Sequence, residues 1–151
     1  LVADRVYSVF PGAALIRLRR DPISNALSLL QCLRQNEGDW FSVKPTQCDG
    51  LEGASEHKKV ASQVYWLNRR LDQSECADSM LTVHYEQLCE NPTKEVERIR
   101  AWCACRGMSV KLKHALPKSF PVQKVDFSSN IDAITIKVEL DILEAKYGLL
   151  G

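Results

Sequence analysis

Long apolar runs are missing from this 151-residue chain, and so is any strong excess of charge of one sign. No stretch approaches the eighteen or so consecutive apolar residues that a membrane-spanning helix needs. The residues after Leu1 lack the charged start, apolar core and small-residue cleavage pattern of a secretory leader, so neither leader nor anchor is expected and the expected location is cytoplasmic. Twenty Lys and Arg against nineteen Asp and Glu leave a formal net charge of +1. That balance argues against a general nucleic-acid binder, whose affinity comes from counterion release by a basic surface. Six cysteines, Cys32, Cys48, Cys76, Cys89, Cys103 and Cys105, include no C-x-x-C pair. Cys103 and Cys105 stand two apart in an expected helix and face different directions, so no metal site is expected. A chain of this length buries a core without covalent staples, and reduced thiols are expected. Glycine is scarce as well: of seven, none begins a G-x-x-x-x-G-K phosphate loop.

What the chain does contain is 45% hydrophobic and 26% charged residues, enough for one soluble domain. Its densest signal runs from Phe10 to Ser28. Ala14 to Arg19 is a short strand-like run, Asp21 is a good helix N-cap, and Pro22 suits the first helical position because its missing N–H would be unpaired there anyway. Arg20 then stands at the carboxyl end of the strand. A helix N-terminus beside a guanidinium favours a phosphate or carboxylate ligand. Ser24 and Ser28 lie one turn apart on the new helix, with Ile23, Leu27 and Leu30 as its apolar stripe. Spacing alone equally allows solvated strand-end arginines and a tolerated helix serine.

A second signal is Met80 to Pro92, a strand over Leu81 to Tyr85 and a helix opened by Asn91-Pro92. Around these lie other expected elements. Val2, Val6 and Val9 or Phe10 recur at helical spacing before Pro11-Gly12; Pro22 to about Asn36 is helical; Glu37 to Ala54 is the longest loop. Ser55 to Leu71 forms a helix with Val60, Val64 and Leu67 inward and Lys58, Lys59, Arg69 and Arg70 outward. The helix after Pro92 turns Val96, Ile99, Trp102 and Cys103 inward and ends at Gly107. Asn130 to Tyr147 is the last, with Ile131, Ile134, Val138, Ile142 and Leu143 at near-helical intervals and Asn130 or Asp132 near its cap. Strands interleaved with helices indicate an α/β fold with a parallel sheet, in which ligands sit at the carboxyl ends of strands, as Arg20 and Tyr85 both would.

At these residues the chain resembles the sulfotransferases that use 3′-phosphoadenosine 5′-phosphosulfate (PAPS). Members carry a strand ending in Arg, usually followed by Asp-Pro or Asn-Ala, with Ser eight positions after the Arg, and Arg20 and Ser28 match. The resemblance implies that these two side chains bind the 3′-phosphate, the group that distinguishes PAPS from ATP. The run Tyr85-Glu86-Gln87-Leu88 is similar to the family's Tyr-Glu-Asp-Leu, which implies that Tyr85 contacts the nucleotide. The likeness is firm from Leu1 to Asn91 and looser to Gly151.

The implied fold is a P-loop-type three-layer α/β arrangement with a parallel sheet flanked by helices. The family's N-terminal strand and Pro-Lys-Ser-Gly-Thr type loop for the 5′-phosphosulfate are not found in the sequence. Pro117-Lys118-Ser119-Phe120-Pro121 imitates that loop but lacks the glycine, follows the 3′-phosphate motif instead of preceding it, and carries a second Pro that blocks a helix. Residues 1–151 are therefore expected to form one sulfotransferase-like domain, incomplete at its N-terminus and without activity as it stands. The implied reaction is sulfuryl transfer from PAPS, without metal, to a small or macromolecular acceptor hydroxyl or amine, with no nucleic-acid partner. The alternative is a non-catalytic module that binds a 3′-phosphoadenosine nucleotide or a protein partner. His57 and His114 are expected to be solvated, His84 to lie on the strand face opposite Tyr85, Glu86 to be a helix-start carboxylate, and Trp40 and Phe41 to cap the core. No catalytic base is assigned. Lys118 and Lys124 are expected to be ordinary surface lysines; the alternative is that one of them stands in, as a point charge only, for the basic residues of the family's late phosphate-covering loop.

Overall fold

The computed structural model describes residues 2–36, 39–122, 125–126 and 129–150, with the side chain of Val2 left aside. Glu37 and Gly38 of the expected loop, and Lys124, lie outside the described residues. The chain divides into two compact units, Leu1–Arg20 with Ser74–Gln123, and Asp21–Gln73 with Lys124–Gly151.

The first unit holds α1 (Val2–Val9), β1 (Ile16–Arg19), β2 (Leu81–His84), α4 (Tyr85–Glu90) and α5 (Pro92–Ala104). The second holds α2 (Pro22–Gln35), α3 (Glu56–Asp72) and α6 (Ile131–Tyr147). In the first unit β1 and β2 pair in parallel, Ile16 opposite Leu81 and Arg19 opposite His84. The pairing bears out the parallel α/β expectation at the level of two strands and their helices.

One detail of that sheet differs from the sequence reading, and another adds to it. The second strand stops at His84, and Tyr85 opens α4 instead of closing the strand. In β1 the apolar Ile16 and Leu18 are exposed while Arg17 between them is buried, so period-2 alternation puts the charge inward. Asn91 caps α5 as expected, its Oδ1 accepting the Lys94 N–H at 3.1 Å. Gly107 follows that helix at φ +74°, a conformation that favours glycine. Trp102 is half-buried, its ring stacked 3.8 Å from the Arg106 guanidinium.

The second unit is a three-helix core in which α2, α3 and α6 all pack on one another. Ala26, Leu30 and Leu33 of α2 meet Val60, Ala61, Val64 and Tyr65 of α3 and Ile136 and Leu140 of α6. Each fully buried leucine or isoleucine contributes about 1.5–3 kcal/mol through its removal from water. The intervals read along the last helix mark its outer side: Ile131, Ile134, Val138 and Ile142 are exposed, and Ala133, Ile136 and Leu140 turn inward. Helix α6 is apolar on both sides, so periodicity does not select the buried one.

Polar bonds lock the bundle. Tyr65 is buried and donates its hydroxyl to the Gly148 carbonyl at 2.7 Å. Arg69, expected in solvent, is half-buried and reaches the Tyr65 hydroxyl at 3.3 Å, while Arg70 donates to Thr46 at 3.0 Å. Buried Gln63 donates to the carbonyls of Phe41 and Val43, both at 2.8 Å, tying the long loop to α3 through backbone. Phe41 is 45% exposed, so its ring does not cap the core; Trp40 is half-buried with the Lys44 ammonium 5.4 Å from its ring.

Candidate functional site

The register of the sheet brings the two sequence signals together. With Arg19 opposite His84, the residues that directly follow the two strands are Arg20 and Tyr85, and the Arg20 guanidinium lies 5.0 Å from the centre of the Tyr85 ring. A cation over an aromatic face at this distance is attracted by the ring quadrupole. Both side chains are half-buried, which limits screening by water. Local chemistry explains the placement: the parallel strands end together, and α4 starts at once on Tyr85 with Glu86 in its first turn.

Tyr85 is itself tied down. The Cys89 thiol, one turn along α4, is the main influence raising the Tyr85 phenol above its ordinary pKa, followed by charge and burial, with the Arg20 cation opposing them. Cys89 is buried, and its carbonyl accepts the Phe120 N–H at 2.7 Å, which pins the segment after α5 to α4. The sequence reading assigned Cys89 nothing; its position four residues after Tyr85 was the available signal.

The third expected residue belongs to the other unit. Helix α2 begins as expected, Asp21 Oδ1 accepting the Ser24 N–H at 2.7 Å with Pro22 at the first position. Ser28 is half-buried and donates its hydroxyl to the Ser24 carbonyl at 3.1 Å. A hydroxyl rotates about its C–O bond, so the same group can turn its proton to an anion.

One charged group of the second unit escaped the sequence reading. Asp132, in the first turn of α6, accepts from Arg34 Nη1 at 2.8 Å and Nη2 at 3.0 Å and bonds His57 Nε2 at 2.7 Å. Arg34 also bonds Glu56 at 2.9 Å. His57 is thus not simply solvated: it is half-buried and partnered. The hydrogen bonds from Arg34 first, and His57 second, hold the Asp132 carboxyl down at about 2. The quartet links α2, α3 and α6 by charge. His84 and His114 are exposed.

Among the described residues no group of His, Cys, Asp and Glu is arranged to hold a metal ion, and no helix is long and apolar enough to cross a membrane.

The Arg20–Tyr85 contact thus stands at the carboxyl ends of two parallel strands of an α/β unit. The sequence model of the sulfotransferase family matches residues 2–108, and the chain belongs to that family. No curated protein and no solved structure matches the chain.

Proposed function

We propose that this chain carries the 3′-phosphate side of a PAPS-dependent sulfotransferase site, with Arg20 and Ser28 as donors to that phosphate and Tyr85 against the nucleotide. The observation that supports this most is the Arg20–Tyr85 stack at the common end of β1 and β2. Arg20 supplies a rigid fork of N–H donors matched to phosphate oxygens, and Tyr85 keeps the fork aimed. The bound donor supplies the transferable sulfuryl group: a bond from sulfur to the acceptor oxygen or nitrogen forms as the S–O bond to the 5′-phosphate breaks, and the acceptor proton passes to a base. Arg20, Ser28 and Tyr85 act on the far end of the nucleotide, so their contribution is orientation.

Calorimetric titration with adenosine 3′,5′-bisphosphate and with ATP tests the reading. Tighter binding of the bisphosphate is expected. Equal affinity for the two removes the 3′-phosphate assignment.

A further inference from the structure

Helix α6 turns Ile136 and Leu140 into the core of the second unit, and its opposite side is apolar as well. Ile131, Ile134, Val138 and Ile142 are all exposed, Ile131 by 71%, and Ala145 is exposed in line with them. With about 3.6 residues per turn, these five fall in one strip about 21 Å long. Scattered exposed aliphatic residues are ordinary on a protein surface, whereas a contiguous strip on the order of a few hundred Å² marks an interaction site.

Two properties of the strip suit a copy of itself. Its spacing is a palindrome: Ile134 and Ile142 stand four residues either side of Val138, and Ile131 and Ala145 seven either side. A two-fold axis at Val138 therefore sets Ile134 of one copy against Ile142 of the other, and Ile131 against Ala145, large against small. Its margin is also charge-complementary to itself. Lys137 and Asp141 lie one turn apart along one edge of the strip, joined at 2.6 Å, and both side chains are more than half exposed. Antiparallel helices lay the same edge against itself in reverse order, so Lys137 of each copy meets Asp141 of the other in a network of four charges. The same sense sets the positive end of each helix dipole beside the negative end of the other. A lipid surface fits less well, because α6 carries Asp132, Glu139, Asp141 and Glu144 against Lys137 and Lys146, the wrong balance for an anionic membrane.

We propose that the outer strip of α6, from Ile131 to Ala145, is the seam of a two-fold symmetric dimer in which two copies of α6 pack antiparallel about Val138. The inference stands on the second unit and does not depend on the reading of the nucleotide site. Pairing the two strips with their polar margins buries on the order of 1,000 Å² in all, the low end for a specific interface. A reversible dimer that dissociates at micromolar concentration is therefore expected.

Analytical ultracentrifugation of the whole chain between about 1 and 100 µM, for wild type and three variants, tests the proposal. Wild type is expected to pass from monomer to dimer across that range. Val138→Glu puts two carboxylates face to face at the axis and is expected to weaken association more than about tenfold. Lys137→Glu is expected to weaken it about fivefold, and Lys137→Glu/Asp141→Lys to restore it, because the double exchange returns opposite charges to each meeting. Val138, Lys137 and Asp141 are all exposed, so circular dichroism of the variants is expected to match wild type. A monomer throughout, a dimer indifferent to Val138→Glu, association that continues past the dimer, a double variant no tighter than Lys137→Glu, or a monomeric chain that floats with anionic vesicles would each overturn the proposal.

Discussion

Replacing Asp132 with Asn keeps the shape of the side chain and removes the charge on which Arg34 and His57 converge. A carboxyl lowered from 3.8 to about 2 corresponds to roughly 2.4 kcal/mol at full value. Arg34 is 45% exposed and Asp132 29%, so water screens the interaction, and about 1 kcal/mol is the expected loss at neutral pH. For a chain of this size that lowers Tm by about 2–4 °C. The sign of the pH dependence follows from the depressed carboxyl. The stabilisation is complete above the unfolded value near 4 and is lost as pH falls through the folded value near 2. The difference between wild type and Asp132→Asn, read by urea unfolding, therefore shrinks to about half at pH 3. Identical stabilities at pH 7, or a difference undiminished at pH 3, would refute the clasp.

Tyr65→Phe removes the buried hydroxyl that donates to Gly148 and accepts from Arg69, and a loss of about 1 kcal/mol is expected in thermal unfolding. Asp21→Ala takes the cap from the first turn of α2, with an expected cost of about 1 kcal/mol; Asp21→Asn restores most of it in the same assay. Gly148→Ala is strained at φ +100° and brings its methyl to 3.2 Å from Arg69, so it is expected to destabilise by about 1 kcal/mol, where Gly12→Ala or Gly53→Ala, with open space and no positive φ, would not.

The parts of the fold that the sequence shows are those written in local chemistry. Asp21-Pro22 and Asn91-Pro92 start helices where caps and prolines start them anywhere, and the first of these fixes the strand end before Arg20, whereas Tyr85 opens α4 without a side-chain cap. Long-range partners are absent from local patterns. The His57–Asp132 bond joins residues 75 apart, so no spacing rule reveals it. Helix α6 carries branched apolar residues on its outer side as well as its inner one, and only packing against α2 and α3 decides which is buried. Arg17 lies between two apolar residues of β1, yet the pleat turns it inward and exposes Ile16 and Leu18. Within the candidate site Arg20 and Tyr85 were legible and are brought together, whereas Cys89 passed as one more small apolar residue.

The central claim is that Arg20 grips a 3′-phosphate. The most direct measurement is a double-mutant cycle by calorimetry: adenosine 3′,5′-bisphosphate against adenosine 5′-phosphate, each on wild type and on Arg20→Ala. A charge-assisted phosphate contact of about 1.5–3 kcal/mol predicts that the preference for the bisphosphate falls by roughly 10–100-fold in the variant. A preference that survives the loss of Arg20 unchanged would contradict it.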